Sequence, residues 1–234
     1  MRYERIVFCV DVSQEAGCEV VGPPPGHNSN TITRLECAKL LMQRFIFQKS
    51  RMNPKHQFGV LTATDLTLWA QECTSDADQV IQNISKLQFE NAQHALWDLS
   101  TLFSALHDQY PEPATADYVL RVIIIYCRSN THPSGPDDAQ LAIFRANPNC
   151  FLDGIYIHDK ANVTNQVQAI YDCLSLLGNE EDRFYELTRE YRRFSIAMTK
   201  LLAHPIQRMA EAPGSYLLQQ DPGPRRGTDD GLLI

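Results

Sequence analysis

An apolar run, Ile6-Val7-Phe8-Cys9-Val10, ends in Asp11-Val12-Ser13-Gln14-Glu15. A carboxylate and a hydroxyl two residues apart on one loop can both face a hard cation, which takes oxygen ligands. The same two groups can instead cap a turn or the neighbouring backbone. A second candidate lies far along the chain. Leu201, Leu202, His204, Pro205, Ile206 and Arg208 form a short, mainly apolar segment that ends in a cation and follows a helical pattern. Proline restricts the backbone in advance, so less entropy is lost when an extended segment docks. A Pro-x-x-Arg peptide suits a groove lined by aromatics with an acidic end. The alternative is that Pro205 only stops the helix and Arg208 is solvated. Tyr216, Leu217 and Leu218 make a further small apolar island.

Other chemistries lack their residues. The sequence holds no His-Glu-x-x-His, no Cys-x-x-Cys, no Gly-x-x-x-x-Gly-Lys and no Gly-x-Ser-x-Gly. The His-x-His of a zinc deubiquitinase is absent too. Seven cysteines and seven histidines leave a Cys/His hydrolase conceivable, but Cys9, Cys127 and Cys173 sit within apolar strand or helix patterns, where core packing is expected. An odd, scattered set of cysteines suits reduced thiols, as in the cytoplasm or nucleus. No catalytic residue and no cofactor is expected. The 234 residues carry 21 Lys+Arg against 28 Asp+Glu, a net charge of −7, which argues against a nucleic-acid partner. No apolar run approaches the ~18 residues that span a membrane, and the first residues show no signal-peptide pattern.

The elements that position these groups follow from periodicity. Residues 5–10 and Tyr118–Tyr126 read as strands buried on both faces, as in a parallel sheet. Phe58–Ala63, Leu66–Trp69 and Phe151–Ile157 read as further strands. A loop is expected over 17–30. A helix begins near Thr31, with Thr33 and Glu36 spaced as a capping box, and carries Leu35, Ala38, Leu41, Met42 and Phe45. Lys49 and Arg51 suit its negative end. Ser75 caps a helix bearing Val80 and Ile84, and a next helix bears Leu96, Leu99, Phe103 and Leu106 before Pro111 and Pro113. Val163–Leu177 reads as an amphipathic helix closed by Gly178. Phe184, Leu187, Tyr191, Phe194, Met198 and Leu201 predict one last helix from about Asp182 to Ala203. The order β α β β α α β β α α predicts an α/β domain over 1–204, its largely parallel sheet flanked by helices. Residues 205–234 then form a tail, partly disordered alone. Ligands of such folds bind at the carboxyl ends of the strands.

An apolar strand ending in Asp-x-Ser resembles the start of a von Willebrand factor A domain. That resemblance implies a Rossmann-like fold and a metal-ion-dependent adhesion site of Asp-x-Ser-x-Ser, a later threonine, and an aspartate after the fourth strand. Here Glu15 replaces the second serine, the threonine region reads His94-Ala95-Leu96-Trp97 with no threonine before Thr101, and the fourth strand ends in Tyr126-Cys127-Arg128. Arg128 opposes a cation electrostatically. The site made by Asp11 and Ser13 is therefore expected to be degenerate, without metal. A metal-dependent ligand-binding A domain is the rival expectation.

A longer likeness starts from residues 198–208, Met-Thr-Lys-Leu-Leu-Ala-His-Pro-Ile-Gln-Arg, followed by Ser215-Tyr216. It continues through Val7–Glu15, Thr74–Asp76, Leu102–Ser104, Tyr118–Tyr126 and Ile155–His158. These segments are similar, in order, to the A-like scaffold subunit of the BRISC and BRCA-A deubiquitinase complexes. The resemblance implies a non-catalytic subunit of the cytoplasm and nucleus, active in DNA-damage signalling and receptor deubiquitination. It implies a ubiquitin-conjugating-enzyme-like partner subunit, and through it a zinc metalloprotease deubiquitinase with its pseudo-protease partner. The docking residues would be Leu201, Leu202, His204, Pro205, Ile206, Arg208, Tyr216 and Leu217.

Overall fold

A strand covered on both faces must be apolar at nearly every position, and the middle of the sheet is built from the runs that meet this condition. A computed structural model describes residues 2–22, 31–110 and 117–208. In chain order it contains β1 (Tyr3–Asp11), β2 (Glu19–Val20), β3 (Ile32–Thr33), α1 (Arg34–Met52), β4 (Gln57–Ala63), β5 (Thr67–Thr74), α2 (Ala77–Lys86), β6 (Trp97–Asp98) and α3 (Leu99–Gln109). There follow β7 (Tyr118–Tyr126), β8 (Pro133–Ser134), α4 (Asp138–Ala146), β9 (Cys150–His158), α5 (Val167–Ser175), β10 (Phe184–Thr188) and α6 (Tyr191–Lys200).

Six strands form one sheet in the order β10-β9-β7-β1-β4-β5. All neighbours pair in parallel except β4 and β5. The chain order reverses between β1 and β7, the place where doubly wound sheets open a crevice at their carboxyl ends. Side-chain parity divides the core. Ile6, Phe8, Val10, Ile123, Ile125 and Ile155 pack with α1, α2 and α6. Val7, Cys9, Leu120, Val122, Ile124 and Leu152 pack with α3, α4 and α5.

Thr33 caps α1 as its spacing predicts, its Oγ1 accepting from Glu36 N at 3.1 Å. Asp76, not Ser75, caps α2, because its carboxylate reaches Gln79 N at 3.0 Å. The third strand extends to Thr74. As an edge strand it needs only one covered face, so polar residues occupy the other and the apolar density falls. Leu96 precedes α3 and is exposed. α4 buries only Leu141, which leaves no periodic stripe to read.

The helix expected from Asp182 to Ala203 is a strand followed by a shorter helix. Phe184 and Leu187 match helical spacing, yet they enter opposite cores, Phe184 with α5 and Leu187 with α6. Phe184 lies over Gly154, where a Cβ would come within 2.3 Å of its ring. α5 starts four residues later than expected, and Val163 is fully exposed. Gly178 does not close it by a left-handed turn, since Gly22 alone has positive φ among the described residues. A Cβ on Gly178 would instead meet the Phe184 ring at 2.7 Å, so close approach is what requires glycine there. Residues 23–30 of the expected loop, Pro111, Pro113 and all of 209–234 lie outside the described residues.

Candidate functional site

Asp11 is the last residue of β1, at the reversal of strand order, and its carboxylate is fully buried. One oxygen, Oδ1, accepts from Ser13 N at 2.9 Å, and Oδ2 accepts from Cys127 N at 3.1 Å. Arg128, just past β7, is 1% exposed and places Nε 3.1 and 3.2 Å from the two oxygens. Its other nitrogens donate to Ala63 O at 3.3 Å, to Thr64 O and to Leu96 O at 3.4 Å. The hydroxyl of Ser13 is buried and has no hydrogen-bond partner. Above these residues opens a cleft of about 720 Å³, lined among others by Ser13, Glu15, Cys18, His94, Arg128 and Asp159.

A hard divalent ion needs several free oxygen donors. Both Asp11 oxygens already accept from the chain. Glu15 accepts from Ser129 N at 2.8 Å and lies 3.9 Å from Arg34, which also pairs with Asp159 at 2.7 Å and donates to Cys127 O. Thr101 is turned away, accepting from Thr67 N and donating to Asp98 O. Trp97 is buried against Tyr126. Among the described residues no group of three His, Cys, Asp or Glu side chains could hold a metal. The residues therefore do not fit the metal that the fold implies. Cys9 and Cys127 are buried, and burial pushes both thiols well up, so neither is a nucleophile in waiting.

The terminal segment occupies the other end of the sheet. Leu201 is buried in the α1/α6 core and Leu202 packs on its edge. His204 caps a single 3₁₀ turn, Pro205–Gln207, its Nδ1 accepting from Ile206 N at 3.3 Å. Pro205 is buried, whereas Ile206 is 58% exposed. Arg208 does not stand in solvent. It grips Asp153 in a fork, NH1 to Oδ1 at 2.6 Å and NH2 to Oδ2 at 2.7 Å. Residues 204–208 are thereby tied to the domain's own sheet. Tyr216 and Leu217 lie outside the described residues.

Sequence reasoning did not anticipate what Arg208 meets. Glu4, Arg121 and Asp153 have the same parity as Ile6, Ile123 and Ile155, so three charges project from three adjacent strands into one layer. Arg121 Nε is 2.8 Å from Asp153 Oδ2, and its NH1 is 3.2 Å from Glu4 Oε2. Lys49, in the last turn of α1, is buried on Glu4 Oε1. Burial would raise the Asp153 carboxyl, but Arg121 and Arg208 outweigh it and hold it below the ordinary value. Glu4 is lowered in the same way, by Arg121 and Lys49 against its own burial. His56, which accepts from Glu4 N at 2.8 Å, is pushed down to about 4 by burial, with Lys49 adding to the effect. The available signal was a single charge inside the apolar runs of β7 and β9, Arg121 and Asp153, with Glu4 just ahead of the run in β1.

The chain matches no family model. It is 25% identical over 232 residues to a Bos taurus protein named BRISC and BRCA1-A complex member 1, covering 93% of this chain and 68% of that one. The Homo sapiens protein of the same name is 24% identical over 231 residues, 93% and 69% of the two chains. These proteins are homologues of the chain. Among solved structures, the SpRpn10 VWA domain superposes with a TM-score of 0.58 at 14% identity, over 85% of this chain and 95% of that one. The fold is thus that of a von Willebrand A domain, as the first strand and its Asp-x-Ser led one to expect.

Proposed function

We propose that this von Willebrand A domain is a non-catalytic scaffold and recruitment subunit of a polyubiquitin-cleaving deubiquitinase assembly. A ubiquitin-conjugating-enzyme-like subunit binds it directly. A zinc metalloprotease and its pseudo-protease partner join through that subunit, in cytoplasm and nucleus, in DNA-damage and receptor-deubiquitination signalling. The carrying observation is similarity along 93% of the chain to proteins named as members of the BRISC and BRCA1-A complexes. The cleft supports the same reading, because the buried Asp11 carboxylate beneath it is neutralised from within by Arg128.

The placement of residues 201–208 alters how such docking would work. Pro205 and Arg208 are spent on the domain's own fold, which leaves Ile206 and half-buried Leu202 as the outward groups of a fixed ridge. A double alanine change at Pro205 and Arg208 would therefore mix folding with binding, and Ile206→Asp is the cleaner probe. The test is to tag the full chain in its own cells, purify it gently and identify its companions by mass spectrometry. Recovery of a zinc metalloprotease and a ubiquitin-conjugating-like subunit is expected, with less of both from Ile206→Asp or from Tyr216→Ala with Leu217→Ala. Recovery of neither from the wild type rejects the scaffold role, and equal recovery from all variants moves the interface elsewhere.

A further inference from the structure

Acids outnumber cations in this chain, 28 to 21, yet two stretches hold no acid at all. No Asp or Glu lies between Glu36 and Asp65, or between Glu190 and Glu211. The first stretch contains nearly all of α1 and the second contains α6. The fold lays these two helices side by side. Leu41, Met42 and Phe45 share a core with Phe194, Met198 and Leu201. Arg44 NH1 donates to Tyr191 Oη at 2.6 Å, and Lys49 Nζ donates to Leu202 O at 3.4 Å. What α1 turns outward is Arg44, Phe47, Arg51 and Met52, at helical spacing. What α6 turns outward is Arg192, Ile196 and Lys200, each four residues from the next. Phe47 is 52% exposed and Ile196 38%. The Arg51 guanidinium lies 4.6 Å over the Phe47 ring, and Tyr191 holds Arg44, so both forks are steadied before a ligand arrives.

We infer that the outer face of α1 and α6 docks an acidic protein surface, whose carboxylates take Arg44, Arg51, Arg192 and Lys200 while apolar side chains between them cover Phe47 and Ile196. Arginine forks pair with carboxylates and phosphates alike, so the wider field decides between them. The Debye length at physiological salt is about 8 Å. A nucleic acid or a bilayer reaches well past that distance and meets the chain's net charge of −7, which repels it. An acidic patch on a protein meets only the basic face. The apolar residues also alternate with the cations instead of forming the separate stripe that enters a bilayer. At its far end the face runs on into the ridge at Ile206, which gives one neighbour a continuous footprint. The inference does not depend on the scaffold reading, since a companion of any function with that surface satisfies it.

The test is cross-linking of the full chain, purified with its companions, by a carbodiimide that joins lysine amines directly to carboxylates. Mass spectrometry of the peptides is expected to find Lys200, or Lys55 just past α1, joined to an Asp or Glu of a companion. Arg51→Glu and Arg44→Glu should each weaken retention of that companion about tenfold or more. Lys160→Glu, the same charge change in the exposed loop after β9, should leave retention unchanged. Arg51→Glu removes only a stacking contact at the surface, so its melting point should match that of wild type. Changing the cross-linked companion acids to lysine should restore retention by Arg51→Glu, which separates a lost contact from a lost fold. The absence of any such cross-link overturns the inference, as does retention indifferent to both reversals. Binding of the purified chain to phosphatidylserine vesicles or to single-stranded RNA at physiological salt, abolished by Arg51→Glu, also overturns it, because the face would then be a phosphate binder.

Discussion

The two ends of the sheet each bury arginine against carboxylate, but they tie together different things. At the carboxyl end, Arg128 closes on Asp11, and the remaining donors go to backbone carbonyls of loops close by. At the other end, Asp153 receives Arg121 from the neighbouring strand and Arg208 from the terminal segment, and Glu4 links Arg121 to Lys49. The first network is a local plug with a cleft above it. The second is a chain of alternating charges that fastens the last turn to the sheet. Buried pairs of this kind contribute little over an apolar core, but removing one partner is costly because the other is left charged and dry. The cost should scale with how many charges each change strands.

Asp153→Ala strands Arg208 and the Arg183 N–H, which donates to Asp153 at 2.9 Å, and leaves Arg121 to Glu4 alone. A loss of about 3–5 kcal/mol is expected in urea unfolding, the largest effect of any single change here. A loss under about 1 kcal/mol would show that the second network carries no weight. Arg208→Ala leaves Asp153 still paired with Arg121, so about 1–2 kcal/mol is expected. It should also open residues 204–208 to proteolysis, whereas Arg128→Ala should leave that cleavage rate unchanged. Equal cleavage in both variants would erase the distinction between the two ends.

Acid sharpens the comparison through two groups at the second end, His56 and Asp182. His56 is held down to about 4, so its neutral form favours folding above its ordinary value of 6.5, and this is lost as pH falls from 6.5 towards 4. Asp182 runs the other way. Burial lifts it to about 7 although it accepts from Leu152 N and Asn179 N, so its contribution is present below pH 3.8 and lost as pH rises through 7. Between pH 6.5 and 4.5, His56→Gln should therefore lose less stability than wild type, and Asp182→Asn should lose more. Each difference should be about 1 kcal/mol, since water at the edge of the cluster screens part of the effect. Parallel profiles for all three proteins would contradict the assignment. The smallest expected effect is that of Ile206→Asp, within about 0.5 kcal/mol of wild type in unfolding, because that side chain already faces water.

How far the sequence could be read depended on how local the causes were. β1 and β7 were legible because burial on both faces demands unbroken apolar runs. Phe184–Thr188 was not, because two cores alternating across a strand can mimic helical spacing when read over five residues. Asp11, Ser13 and Arg128 were all visible, and only the relation between them changed. Distance in sequence suggested a charge that repels a metal, while the fold brings that charge 117 residues back onto the carboxylate itself. The partner of Arg208 was out of reach for the same reason, since Asp153 stands 55 residues away and its facing is set by sheet register.

β1 contributes a carboxylate to both networks, Glu4 to one and Asp11 to the other. Seven residues of extended chain separate them, about 23 Å. That stretch runs through the middle of the sheet and acts as a rigid spacer. The ridge at Ile206 and the cleft therefore sit at opposite ends of one continuous strand.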